Sequence, residues 1–173
     1  MERFPYNTLN AENPGISGFG DLYQNINQMN LFISRTLHTD VLTESARNYY
    51  LGQVYGLRAY YMYQLYRSWG DVVFTEEPSL GFEVGKLAKA ATPAAEIFEQ
   101  VKKDIESSLS YFGSDYTIKE KKSLWSKAAT LMLKADVYLW SAHRDGGEGD
   151  ARTAKNALVD IQNNISRSNL DLM

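Results

Sequence analysis

The sequence holds two histidines, His38 and His143, and no cysteine, so thiolate nucleophiles, thiolate metal sites and disulfides are all excluded. Neither histidine has a second ligand three or four residues away, the spacing that would put a metal-binding pair on one helix face. His143, Asp145, Glu148 and Asp150 lie near enough in sequence to hold a cation loosely. They lack the ordered ligand pattern of a calcium hand and read as a solvated turn. The Gly146-Gly147-Glu148-Gly149 run follows no strand and ends in no lysine, so it is no phosphate cradle. Serines are numerous, yet none sits in a Gly-x-Ser-x-Gly elbow, and no paired carboxylates have a cleft-forming arrangement. Acid, base, nucleophile and metal all lack a visible seat. The expectation is a protein with no catalysis and no cofactor.

What remains is the chemistry of binding. The run GLRAYYMYQLYRSWGDV, residues 56–72, carries Tyr60, Tyr61, Tyr63, Tyr66 and Trp69 before stopping at Gly70 and Asp71. The four tyrosines spread around more than one helix face, as expected of a helix packed between neighbours, and are read as core or interface. Trp69 stands at the helix end beside a loop, where an indole face could stack on a sugar ring. Aromatic faces match the apolar C–H face of a pyranose while nearby polar groups take its hydroxyls. Phe4, Tyr6 and Phe19 mix with Asn7, Asn10 and Asn13 in the opening segment, a composition that suits carbohydrate binding and equally suits a loop latched onto helices. Tyr6, Phe19 and Trp69 are therefore the candidate ligand-binding residues. Arg58, whose fork suits carbonyls or a carboxylate such as Asp71, is expected to make a structural pair. Asp71 itself is expected to cap or brace the turn after Gly70.

These residues need a scaffold. A chain of 173 residues, 44% apolar, has the length of one domain and enough apolar material for a core. With 18 basic against 21 acidic side chains, it projects no positive field for a phosphate backbone, so nucleic acid is not the expected partner. No run of about 18 apolar residues exists and no signal-peptide pattern opens the chain. Both ends are polar and loop-like, which reads as a piece cut from a longer, exported protein. Runs such as Lys119-Glu120-Lys121-Lys122 are read as solvated surface.

Residues 1–20 read as an extended loop. Leu22, Ile26, Met29, Ile33 and Leu37 recur at three- and four-residue steps after Asp21, predicting a first helix over 21–37. Glu44 and Ser45 suit the start of a long second helix ending at Trp69, in which Gly52, Gly56 and Ala59 let another helix approach closely. Gly70 is its stop. Residues 70–92 read as an ordered connection. Thr92 as N-cap with Pro93 at the first helical position starts a third helix, its stripe Ile97, Val101, Ile105, Leu109 and Phe112. A fourth helix from about Ser123 to His143 is predicted to bury Trp125, Ala128, Ala129, Met132, Ala135, Leu139 and Ala142. After a turn at Arg144–Asp150, Asp150 caps a fifth helix over 150–166 with Ala154, Ala157, Leu158, Ile161 and Ile165 inward. The fold expected is all-α, one domain of two antiparallel helix pairs, 21–69 and 93–143, plus the fifth helix. Ala128, Met132 and Ala135 have the small-large-small spacing of a tetratricopeptide helix, but helix starts near 21, 93 and 150 keep no 34-residue period, so the stack is irregular.

The run LRAYYMYQLYRSWGDV resembles the signature helix of the SusD/RagB family of bacterial outer-membrane glycan-binding lipoproteins. LYQNINQMNLFI resembles that family's first helix with its paired asparagines, and TPAAEIFEQVKKDIESSL and SLWSKAATLMLKADVYLW resemble two later helices, in the same order. Together they cover about residues 20–165. Val73 stands where the family usually has proline after GDV, and Gly52 and Gly56 depart from its usual lead-in. The resemblance implies a surface-exposed lipoprotein about three times this length, lidding a SusC-like TonB-dependent transporter and passing it oligosaccharides or other nutrients. This chain would be mainly scaffold and transporter contact. A free-standing tetratricopeptide-like module gripping a protein segment is the alternative.

Overall fold

A computed structural model of the chain describes residues 18–81, 89–120 and 123–165. Within them five α-helices follow one another: α1 Gly20–Leu37, α2 Glu44–Trp69, α3 Ala94–Phe112, α4 Lys127–Ser141 and α5 Gly147–Asn164. No strand occurs among the described residues; the nearest approach is an isolated antiparallel bridge between Val72 and Thr92. The molecule is all-α.

Local chemistry places the helix ends. Thr43 caps α2 by accepting from the Ala46 amide at 3.3 Å, and Ser126 caps α4 by accepting from Ala129 at the same distance. Gly70 (φ 74°) and Gly113 (φ 53°) close α2 and α3 in the left-handed region that a side chain resists. The third helix starts one residue late: Thr92 is occupied by its bridge to Val72, and Asp71 Oδ1 instead accepts the Ala94 amide at 2.8 Å. The fourth helix starts at Lys127, because the cap is Ser126 and not Ser123.

The expected turn at Arg144–Asp150 is helical. A π-helical stretch, Ala142–Gly146, runs directly into α5 at Gly147, whose φ of 57° turns the chain. Asp150 is thus no cap. It lies in the first turn of α5, its carboxylate packed against Gly146 where a Cβ would otherwise sit, and acidic groups there are favoured by the helix dipole.

Successive helices run antiparallel. Phe32 of α1 meets Tyr50 of α2, while Phe19, just before α1, meets Trp69 at the end of α2. Along α2 and α3, Gly52 pairs with Ser108, Arg58 with Asp104 and Tyr66 with Phe98. Lys134 of α4 reaches Glu106 and Lys127 reaches the Gly113 carbonyl, so α3 and α4 are also opposed. The main core joins α1 to α4 around Ala59, Met62, Tyr63, Leu65, Ile97 and Val137, and a second core joins α4 and α5 through Ala128, Leu131, Ala135, Ala154, Ala157 and Ile161. Burying the leucine, isoleucine, valine and methionine side chains among these contributes roughly 1.5–3 kcal/mol each.

The small positions act as expected in α2. A Cβ on Gly52 would lie 3.0 Å from the Phe112 ring, and one on Gly56 would enter the Trp125 indole. Two inward positions were misplaced on α4: Met132 is 55% and Leu139 51% exposed. Leu131 takes the slot between Ala128 and Ala135, because α4 is buried on two sides, by α5 through that row and by α2 and α3 through Leu133 and Val137. Met132 falls on the remaining open side. Leu158 of α5 and Leu37 of α1 are likewise half exposed rather than inward.

Candidate functional site

The site begins with the residues that end α2 and start α1. Phe19 precedes α1 and is 45% exposed; its ring meets Trp69 edge-on with centroids 5.8 Å apart and Tyr23 edge-on at 5.4 Å. Trp69 is half-buried, one side of its indole packed against the main core. Two of the three candidate ligand residues are therefore brought together by the antiparallel pairing of α1 and α2. Tyr6 lies outside the described residues.

Beside this pair a cleft of about 340 Å³ runs between α1 and the segment following α2, with Tyr23, Gln24, Asn27, Phe74, Ser79 and Lys89 among its walls. Three side chains of α1 hold that segment. Tyr23 Oη donates to the Val73 carbonyl at 2.8 Å, Asn30 Nδ2 donates to Thr75 O at 2.6 Å, and Asn27 both donates to Ser79 O at 3.2 Å and accepts from Ser79 N at 2.7 Å. Burial pushes the Tyr23 phenol above its ordinary pKa, which keeps it protonated and donating. Asn27 and Asn30, two of the asparagines in the LYQNINQMNLFI run, thus bind backbone.

Arg58 does not meet Asp71. Its Nε and Nη2 donate to the two carboxylate oxygens of Asp104 at 2.7 Å each, and its Nη1 donates to Asn30 Oδ1 at 2.8 Å. Glu76, in the segment facing α1, approaches Nη2 at 3.5 Å and accepts from Gln100 at 3.2 Å. Asp71 lies after the helix end, where the free Ala94 amide claims it, whereas Arg58 lies three turns back against α3. Burial opposes the charge on Arg58, but its bonds to Asp104 outweigh this and hold the guanidinium more firmly charged than usual.

The tyrosine stripe divides. Tyr63 is fully buried, Tyr61 and Tyr66 are half-buried, and Tyr60, 41% exposed, leans edge-on against Tyr61 and beside Trp125. Tyr63 and Tyr66 stack at 6.3 Å. His38 bonds the Ser34 carbonyl of its own helix through Nδ1 at 2.7 Å. Among the described residues no group of three potential metal ligands converges, and no helix is long and apolar enough to cross a membrane.

Sequence reasoning missed the cleft walls Tyr23, Asn27 and Phe74. The available signal was Asn27 and Asn30, two amides three residues apart on the helix face that also carries Ile26 and Ile33, where amides need partners.

The arrangement offers exposed ring edges, an amide and an ammonium along an open cleft, which is the equipment for holding a polyhydroxylated ligand. A family model described as SusD-like, starch-binding and associating with the outer membrane matches residues 6–139. A SusD-like protein of Formosa agariphila is 34% identical over 94 residues, 53% of this chain and 17% of that protein. NanU of B. fragilis is 50% identical with a TM-score of 0.85, over 95% of this chain and 32% of that one. A SusD superfamily protein from Bacteroides vulgatus is 48% identical with a TM-score of 0.83, over 93% of this chain and 32% of that one. The chain therefore spans about a third of the length of these solved structures.

Proposed function

We propose, from the premise that this chain belongs to the SusD-like family, that it is the helical part of a non-catalytic, surface-exposed outer-membrane lipoprotein that captures oligosaccharides for a SusC-like TonB-dependent transporter. The observation that carries this reading is the Phe19–Trp69 edge pair beside the cleft lined by Tyr23, Gln24 and Asn27. An exposed ring beside amides takes the apolar and polar faces of a sugar together.

The rest of the chain serves as scaffold. Its α1 forms one wall of the cleft, and the exposed apolar side chains Phe32 and Val41 at the far end of α1 offer a surface for transporter contact. A larger apolar hollow of about 590 Å³ at the other end of α1, walled by Leu31, Phe32, Val41 and Leu42, belongs to that contact surface rather than to sugar binding, since it is remote from the Phe19–Trp69 pair.

The test is an array of neutral and acidic oligosaccharides probed with the full-length protein, followed by calorimetry on the best ligand. Binding that weakens on Phe19→Ala supports the reading. Absence of binding to every oligosaccharide, with tight binding of an extended peptide instead, would favour the tetratricopeptide-like interaction module.

A further inference from the structure

We infer that Arg58 and Asn30 form a positioning device for the cleft, setting where the 73–79 segment lies relative to α1; this rests on the ligand-binding reading of that cleft. Arg58 is 2% exposed and does not line the cleft. Its influence passes through one amide. Because Asn30 Oδ1 accepts from Arg58 Nη1 at 2.8 Å, Nδ2 is left as the donor, and it donates to Thr75 O at 2.6 Å. The guanidinium, which can only donate, and the Thr75 carbonyl, which can only accept, select the same orientation of the amide, so Asn30 links the two without conflict.

Arg58 is itself fixed. The paired bonds to Asp104 of α3 set the plane of its fork, and Gln100 adds a bond to Asp104 Oδ1 at 3.0 Å. The same guanidinium attracts Glu76 at 3.5 Å, in the segment that Asn30 holds, and Glu76 is also near Lys103 of α3 at 3.5 Å. One buried cation thus registers α1, α3 and the far wall of the cleft against one another. Asp104 takes two of the five guanidinium donors, and the buried remainder turn to Asn30 and toward Glu76. The further contacts to Asn30 and Glu76 aim the pair at the segment opposite α1.

The test separates local position from global stability and from ligand choice. In Asn30→Asp the carboxylate still accepts from Arg58 but cannot donate to Thr75 O. Amide hydrogen exchange on the full chain is expected to speed up at least tenfold at the bonded amides of the 73–79 segment, Glu77 and Ser79, with the core amides of α2 unchanged. Should the second carboxylate beside Asp104 unfold the chain, Glu76→Gln, at a half-exposed position, is the second variant, with a smaller acceleration of about threefold confined to the same residues. Unchanged exchange across 73–79 in the folded variant, or acceleration equal to that of the α2 core, overturns the inference. Failure of the full-length wild type to bind any oligosaccharide overturns the ligand reading instead, and leaves the exchange result standing on its own.

Discussion

Arg58 of α2 and Asp104 of α3 meet side-on through two bonds of 2.7 Å, 46 residues apart in sequence and both at most 2% exposed. Such a pair is weak evidence for net stability, since desolvating two charges offsets much of their attraction, but removing one partner strands the other. Asp104→Ala is expected to destabilise the chain by about 3–5 kcal/mol, read from the midpoint of urea unfolding. A cost below about 1 kcal/mol would mean that Arg58 finds compensation elsewhere.

Gly56 lies beneath the Trp125 indole, whose Nε1 donates to Thr130 Oγ1 at 2.8 Å. Gly56→Ala would drive a methyl group into that ring and to within 2.9 Å of Thr130 Oγ1. Overpacking of this kind costs typically about 1–3 kcal/mol. Gly52→Ala, with its new methyl 3.0 Å from the Phe112 ring, should cost less because a ring can tilt. Thermal melts of the two variants should rank in that order; the reverse order would place the tighter helix contact at Phe112.

Tyr63 buries its hydroxyl without a hydrogen-bond partner, and burial, aided by the negative charge of Asp136, raises its pKa from 10.0 to about 12. The fold therefore favours the protonated phenol. That contribution is complete below pH 10 and is lost as pH rises from 10 to 12, where the unfolded chain ionises first. Tyr116, raised to about 12 by burial and by Asp160 beside it, acts in the same window. Tyr63→Phe is expected to change stability at pH 7 by less than about 1 kcal/mol and to soften the alkaline loss of stability. A large cost at pH 7 would show that the hydroxyl has a partner.

Phe19 is half exposed and its ring contributes little to the core. Phe19→Ala in the full-length protein should leave the melting temperature nearly unchanged and weaken oligosaccharide binding about tenfold, or ~1.4 kcal/mol, by calorimetry. Trp69→Ala should weaken binding further while also lowering the melting temperature, because that indole packs on the main core. Full affinity in both variants would remove the ring pair from the site.

The helix pattern was legible because its causes are local. Apolar residues at three- and four-residue steps mark α1 and α3, and Gly70 accepts a backbone angle other residues resist, whereas the Ser126 cap, three residues past the expected start at Ser123, was settled only by the fold. The same local causes set the family resemblance, so the all-α stack follows from residues read in order, whereas the meeting of Phe19 with Trp69 comes from the packing of α1 on α2.

Only the tertiary structure decided which partner each polar group found. Periodicity reports that a helix face is apolar but not which carboxylate arrives opposite it, so Arg58 was matched with nearby Asp71 when Asp104 was already desolvated against it. Where a helix is buried on two sides, as α4 is, the apolar stripe widens and its edge loses meaning, and Met132 and Leu131 exchange places. The cleft is of the same kind. It exists because Asn27 and Asn30 reach backbone groups of Ser79 and Thr75 across 52 and 45 residues, a match of donors to acceptors that only close packing can bring about.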